Sequence, residues 1–205
     1  LKWKYMSNIN SAYRKAFEDN CFELLIYAYQ KVMEERIFQL NWLENDISYE
    51  LYEKIDDNPI RQEYEIHMSP EFRISKEVKK IRGFADKLPR IDLRVTSFRN
   101  KEEYKYFFEA KRLKEKDSAL KRAYINEGMQ RFISSKYPLG CMVGYLLEGS
   151  VDKTIDGINS LLVKDSRDSE ILSKKPHEDI NDYYESNHDV IIILKHIILD
   201  FTLSS

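Results

Sequence analysis

Three charged side chains within residues 88–114 (LPRIDLRVTSFRNKEEYKYFFEAKRLK) have the types and the spacing of a metal-assisted hydrolytic site. Asp92 lies near the start of one predicted strand, and Glu109 and Lys111 lie at the end of the next. Carboxylate oxygens are ligands that Mg²⁺ prefers, and a bound cation lowers the pKa of its water and neutralises developing charge. A lysine beside that cation would orient or deprotonate the water. The three residues therefore indicate hydrolysis of a phosphodiester bond.

Two predicted strands, joined by the turn SFRNKEE, must bring these residues together. Side chains two residues apart on a strand project from the same face, so Glu109 and Lys111 are expected side by side. The backbone carbonyl of Ala110 is a further candidate metal ligand. Asp92 reaches the same metal only if the strand register brings it level with them. The opposite face of the second strand carries Tyr104, Tyr106, Phe108 and Ala110.

A charge-paired strand edge is the simpler alternative. A Glu-x-Lys pair at the end of a strand is often only solvated, and Asp92 between Arg90 and Arg94 could form a weak surface ion pair. Against this, Glu109 follows the aromatic run YKYFF, where a carboxylate becomes partly buried and then needs a partner. Lys111 or a metal ion would supply that partner, so the hydrolytic interpretation is preferred.

The rest of the chain predicts helices around this strand pair. Helical periodicity covers residues 10–38 and about 42–55. A helix capped by Ser118 is predicted to run to about Ser135, and another helix is capped by Ser150. A helix between the third and fourth strands implies a crossover connection, and hence a mixed sheet.

The other predicted strands complete an α/β fold. They lie in RQEYEIHMSPEFRI, in the buried run PLGCMVGYLLEG and in DVIIILKHIILDFTL, whereas residues 164–188 are predicted to be loop. We expect a mixed β-sheet of four to five strands flanked by helices. A single domain over residues 1–205 is predicted, with a helical part at 1–58, a core at 60–147 and a C-terminal helix, loop and strand at 148–205.

Charge is distributed unevenly along this globular chain of 205 residues, 42% of them hydrophobic and 13% aromatic. A net charge of −2 excludes a uniformly basic surface but leaves room for a local basic groove. Acidic residues concentrate in ENDISYELYEKIDD and HEDINDYYE. The bias favours a partner with a phosphate backbone, that is, a nucleic acid. We expect DNA as that nucleic acid. The basic residues near the strand pair are Lys79, Lys80, Arg82, Lys87, Arg90, Arg94, Arg99, Lys101, Arg112, Lys114, Lys116, Lys121 and Arg122.

The cysteines and the hydropathy pattern indicate a cytoplasmic protein. Cys21 and Cys141 lie in separate apolar runs without metal-ligand spacing, as expected of reduced, buried thiols. The N-terminal residues lack the apolar core of a signal peptide. No apolar run reaches the length that spans a bilayer, so no membrane partner is expected.

The strand pair resembles the PD-(D/E)XK nuclease superfamily, which has the restriction-endonuclease-like fold. The resemblance rests on an acid in one strand, Glu-x-Lys in the next, then a helix and a buried strand, over roughly residues 60–147. It implies a Mg²⁺-dependent nuclease, with Mn²⁺ as a substitute, in which Asp92, Glu109 and Lys111 are catalytic and Ala110 helps to bind metal. Restriction or phage defence and a homodimer would suit such an enzyme. One departure is that Pro89 stands three residues before the acid rather than beside it.

The same resemblance implies supporting residues on two helices. In this superfamily the helix after the strand pair aims polar residues at the site, which here makes Glu127, Gln130 and Arg131 candidates for metal or phosphate. A glutamate on the first helix often helps to bind metal. Glu23 is the best placed, and Asp19, Glu34 and Glu35 are alternatives. A solvated polar face explains both sets about as well, and Glu127 with Arg131 is also a favourable helical pair.

Residues before the last predicted strand could also contact substrate. Ser186 and His188 lie in YESNHDV, and His188 could donate to a phosphate. An exposed loop histidine without function is the alternative. His196 lies between two apolar runs and is expected to be structural.

Two other functions compete with a DNA nuclease. The fold could have lost its chemistry and remain as a module that binds nucleic acid or protein. A salt bridge between Lys111 and Glu109, with Asp92 turned away from both, would favour that module. An RNase would share the site and differ in the shape of its groove.

Overall fold

The computed structural model describes residues 2–68, 93–99, 102–134, 139–189 and 193–204. In these ranges one mixed sheet has seven strands in the order β1-β2-β3-β4-β7-β6-β5. The pairs β3–β4 and β4–β7 are parallel, and the other pairs are antiparallel. The strands are β1 (Ile66–Met68), β2 (Leu93–Arg99), β3 (Glu102–Lys114), β4 (Gly140–Glu148), β5 (Ser173–Lys174), β6 (Tyr183–Asn187) and β7 (Ile193–Asp200).

The predicted mixed sheet flanked by helices is confirmed, but its strand count differs from the four to five predicted. Residues 164–188, predicted to be loop, contain β5 and β6 as well as a 3-10 turn at Asp168–Glu170. Polar composition hid these strands, because both residues of β5 are exposed at the edge of the sheet and β6 mixes the buried Tyr183, Tyr184 and Ser186 with polar neighbours. The second half of the predicted strand at 61–74 lies outside the described residues.

Helices cover both faces of the sheet. They are α1 (Lys2–Glu35), α2 (Glu44–Asp56), α3 (Ile60–Glu63), α4 (Ser118–Ala123), α5 (Gln130–Ile133) and α6 (Val151–Lys164). The first helix ends where Arg36 adopts a left-handed φ of 52°, a conformation that closes a helix, and not at residue 38 as predicted.

Two apolar clusters hold these layers together. Side chains of α1 and α2, such as Leu25 and Leu51, pack with β2, β3, β4 and β7 on one face. Side chains of α6 and of residues 124–132 pack with the other face of β4 and β7. Strand β4 is buried on both faces from Cys141 to Leu147, as expected for a central parallel strand. Thus the sheet lies between two helical layers.

The helix after β3 differs from the single helix predicted there. Its cap is Asp117 and not Ser118, since the Asp117 carboxylate accepts hydrogen bonds from the backbone N–H groups of Ala119 and Leu120. After α4 the chain forms a π-helical segment at Tyr124–Met129, which continues directly into α5. Such wide turns are uncommon and frequently occur at functional sites.

Both cysteines are free and buried, as predicted. Burial raises the pKa of the Cys21 and Cys141 thiols, so both are protonated at neutral pH. Among the described residues, no helix combines the length and the apolar character needed to cross a membrane.

Candidate active site

The end of β3 places Glu109 and Lys111 side by side, as the alternation predicted. Both side chains point away from the α1 layer, whereas Tyr106 and Phe108 pack against it. Glu109 is 3% exposed and Lys111 is 8% exposed. Burial of two charged groups is costly unless they are paired, so their partners determine what this site can do.

Lys111 joins two carboxylates. Its Nζ lies 3.3 Å from Oε1 of Glu109 and 2.9 Å from Oε1 of Glu44. Glu44 is the first residue of α2, and its other oxygen accepts a hydrogen bond of 3.3 Å from the backbone N–H of Arg112. Packing of α2 beside β3 therefore brings a second acid to the lysine from 67 residues away.

Arg131 is the second cation at Glu109. Its Nε lies 2.9 Å from Glu109 Oε1, and its side chain is 19% exposed. The π-helical segment brings it there by packing closely on β3 and β4. A Cβ on Gly128 would lie 3.3 Å from Lys111 Cγ and 2.4 Å from Met142 Cε, so only glycine allows this approach without a shift.

The lysine is charged in this arrangement. Burial has the largest single influence and lowers the pKa of Lys111, but the Glu44 and Glu109 carboxylates together outweigh it, and the pKa lies above its ordinary value. An ammonium group cannot accept a proton from water. A charged lysine beside a bound cation could orient the water or stabilise developing charge, and both roles fit the structure better than deprotonation of the water.

These side chains line one cavity of about 310 Å³. Its charged lining combines three acids with three cations, so the cavity is polar and nearly neutral. The wall also includes Asn45, Ser48 and Phe108. The charged lining residues are Glu44, Glu109, Glu127, Lys111, Arg112 and Arg131.

The oxygen atoms around the cavity are of the chemical type that hard cations such as Mg²⁺ prefer as ligands. Glu44 and Glu109 supply carboxylate oxygens that already converge on one positive group, the ammonium of Lys111, and Ala110 lines the same cavity. Within the described ranges, however, no cluster of three or more side chains is arranged to hold a metal ion. Asp92, the predicted first acid, lies outside the described residues.

The other predicted site residues fall in different places. Glu127 is exposed on the rim of the cavity, and Gln130 is exposed on α5 without lining it. Glu23 accepts a hydrogen bond of 2.7 Å from the Tyr64 hydroxyl on the α1 layer. His188 lies 2.8 Å from Glu170 beyond β6. Neither Glu23 nor His188 lines the cavity.

The basic residues predicted to favour nucleic acid divide into two groups. Lys114 pairs with Glu148, and Arg122 pairs with Asp165, so these cations already have protein partners. Arg112 lines the cavity, together with Arg131, which was not part of this basic set. The members that lie outside the described residues are Lys79, Lys80, Arg82, Lys87, Arg90 and Lys101.

Glu44 is the site residue that sequence reasoning missed. It begins an acidic helical stretch, ENDISYELYEKID, and nothing in the local sequence distinguishes it from the other acids of that stretch. The available signal is its position in the first turn of α2, where a carboxylate is favoured by the helix dipole. Its contact with Lys111 depends on how α2 packs on β3, which local spacing does not reveal.

Comparison with known proteins identifies no relative: no protein-family model, no curated protein and no solved structure matches the chain.

Proposed function

We propose that this protein is a metal-dependent nuclease acting at the cavity of Glu44, Glu109 and Lys111. The observation that carries the proposal is the carboxylate of Glu109, which is 3% exposed and is held by two cations in a solvent-accessible cavity beside a second carboxylate. A fold that needed only stability would do as well with apolar side chains there. Buried charges in a cleft therefore favour chemistry.

Bound Mg²⁺ would supply Lewis-acid stabilisation and an activated water. The residues that would hold it are Glu109, Glu44 and the carbonyl of Ala110, together with Asp92. In the chain Asp92 directly precedes Leu93, and the strand partner of Leu93 is Phe108, which directly precedes Glu109. The register of the described residues Leu93 and Phe108 supports the choice of Asp92 in this proposal.

The cations have separate tasks in this proposal. Lys111, charged and fixed between two carboxylates, orients the attacking water and stabilises charge that develops on the phosphoryl oxygens. Arg131 and Arg112 offer planar guanidinium groups that bind phosphate oxygens in pairs. We propose a nucleic acid as the substrate, because of the basic bias of residues 79–122. DNA as that nucleic acid, and a restriction or defence role, are proposed by family analogy alone.

The test is calorimetric titration of Mg²⁺ and Mn²⁺ combined with plasmid nicking. Glu109→Gln should abolish nicking, a loss of at least about 100-fold, and should weaken cation binding, because it removes a buried anionic ligand without changing shape. Glu148→Gln is the matched control, since Glu148 also pairs with a β3 lysine, Lys114, but on the surface. The control should bind and cut like the wild type.

A non-catalytic binding module is the second candidate. Lys111 forms the salt bridge to Glu109 that was expected of such a module, and the lining charges balance without a metal. If the wild type binds neither cation and cuts neither DNA nor RNA, the module replaces the nuclease. If only RNA is cut, the enzyme is an RNase with the same site.

A further inference from the structure

A continuous chain of hydrogen bonds runs through the protein away from the proposed site. The Tyr124 hydroxyl lies 2.9 Å from Nδ1 of His196, and Nε2 of His196 lies 2.8 Å from Oγ of Ser186. The same Oγ lies 2.8 Å from Nε2 of His188, whose Nδ1 lies 2.8 Å from Glu170. Each link has the length of a good hydrogen bond.

The inner part of this chain is closed to substrates. Tyr124 and His196 are fully buried, and Ser186 is 1% exposed. Ser186, His188 and Glu170 are connected like a nucleophile, its base and an orienting acid. Because no substrate reaches the Ser186 hydroxyl in this fold, the arrangement serves the protein internally and not as a hydrolase.

The ionised carboxylate of Glu170, at the outer end of the chain, fixes the direction of every hydrogen bond as long as His188 is neutral. Arg167 donates two hydrogen bonds to Glu170, at 2.8 and 2.6 Å, and these lower the pKa of that carboxyl, so Glu170 is ionised and only accepts. His188 must therefore carry a proton on Nδ1. If His188 is neutral, its Nε2 accepts from Ser186, Ser186 accepts from Nε2–H of His196, and Nδ1 of His196 accepts from Tyr124.

We propose that protonation of His188 exchanges donor and acceptor in every hydrogen bond from His188 to Tyr124. The chain would then act as a switch that passes the protonation of His188, beside Glu170, to the hydroxyl of Tyr124. With a proton on both nitrogens, His188 donates to Ser186, Ser186 turns to donate to Nε2 of His196, and His196 carries its single proton on Nδ1 and donates to Tyr124. One proton is added in total, and it resides on His188. His196 stays neutral and changes only its tautomer, and the two hydroxyl groups rotate.

The surroundings of His188 set the pH at which this occurs. Burial lowers the pKa of His188 most, and Arg167 lowers it further, whereas Glu170 and Asp189 raise it; the net shift is below the ordinary value. Burial, and next the neighbouring His188, lower the pKa of His196 to about 3. Of the described residues, Ser186 and Tyr124 are also hydrogen-bonded to the two rings, and both are uncharged hydroxyls. Acidification thus charges His188 before His196.

The inner end of the switch is part of the segment that contacts the proposed site. Tyr124 begins the π-helical segment, Gly128 of that segment packs on the Lys111 stem, and Arg131 follows it. A change from donor to acceptor at Tyr124 alters the anchor of this segment. Only this last link rests on the proposed function; the reversal itself does not.

Ring ¹⁵N spectra of the labelled wild-type protein test the reversal between pH 8 and pH 5. At pH 8 we expect His188 with its proton on Nδ1 and His196 with its proton on Nε2. On acidification His188 should gain a second proton while the His196 proton moves to Nδ1 with the same midpoint. The proposal is overturned if His196 keeps its Nε2 proton while His188 titrates, or if His188 is doubly protonated at pH 8.

The second measurement uses Ser186→Ala, which removes the hydroxyl that links the His188 and His196 rings. His188 should still titrate in this variant, but the His196 tautomer should no longer follow it; coupling that survives contradicts the proposal. Ser160→Ala is the control, because the Ser160 hydroxyl donates to a carbonyl within α6. The readout needs no metal and no cutting, so a failed nuclease proposal would leave this result intact.

Discussion

The cavity cluster and the buried chain solve the problem of polar groups inside a fold in opposite ways. Glu109 and Lys111 keep full charges, neutralise one another and remain beside solvent. Tyr124, Ser186 and His196 lie deeper and are uncharged, and each hydroxyl or ring nitrogen has a partner. The charged groups lie in the cavity, where a ligand could contact them, and the neutral groups lie in the interior, where no ligand can enter. The two regions should therefore respond differently to substitution and to pH.

The largest effect on stability is expected at Arg131. Arg131→Met removes a guanidinium from a carboxylate that is 3% exposed and should lower the free energy of unfolding by about 3 kcal/mol, because a buried charge loses a partner. Urea denaturation measures this loss. Lys114→Met, which breaks an exposed pair with Glu148, should cost less than about 1 kcal/mol. Equal losses in the two variants would show that breaking the buried ion pair at Glu109 costs no more stability than breaking an exposed one.

An intermediate effect is expected on acidification, from the buried chain. The pKa of His196 is about 3 in the folded protein and about 6.5 when unfolded, so the unfolded state binds the extra proton. Stability should therefore fall as the pH drops below about 6.5, by about 1 kcal/mol per pH unit from this residue. His188, whose pKa is also lowered, adds to the loss.

Urea denaturation at several pH values between 7 and 4.5 measures that slope. His196→Leu should be less stable than the wild type at pH 7. Its free energy of unfolding should, however, fall less on acidification than that of the wild type. His67→Gln, at an exposed histidine of β1, is the control and should keep the wild-type slope. A leucine variant with the wild-type slope would contradict the burial of a neutral His196.

The smallest effect is expected from a single link of the buried chain. Tyr124→Phe removes one hydroxyl from His196 Nδ1 and should cost about 1 kcal/mol, as for a typical neutral hydrogen bond. Tyr145→Phe, which breaks a buried bond of 2.9 Å to Ser48, should cost a similar amount. Only the Tyr124 variant should change the ring ¹⁵N signals of His196, and a change in both would remove the distinction.

The local part of the candidate site could be predicted from sequence. Alternation along β3 placed Glu109 and Lys111 on one face, and the aromatic run before them predicted a buried carboxylate; both predictions are confirmed. Arg131 was selected through a family resemblance, and the structure brings it to Glu109. These features depend on neighbours close in the chain, for which spacing is sufficient.

The parts that could not be predicted depend on distant contacts. Glu44 looks like any solvated acid until α2 packs beside β3, and Glu23 looked better placed because its helix position suited the family. Ser186 and His196 were assigned to a loop and to a structural strand, and only the pairing of β6 with β7 joins them. The π-helical segment had only Gly128 as a signal.

The contacts between α1 and β7 have a consequence for synthesis of the chain. The Tyr29 hydroxyl donates a hydrogen bond to the carbonyl of Asp200, 171 residues away. Glu18 forms an ion pair with Lys195, 177 residues away. At about 5–20 residues per second, α1 leaves the ribosome roughly ten seconds or more before β7 exists. During that interval the apolar stripe of α1 lacks part of its docking surface. We therefore expect α1 to pack first with β3 and β4, which are synthesised before β7 and share its apolar cluster.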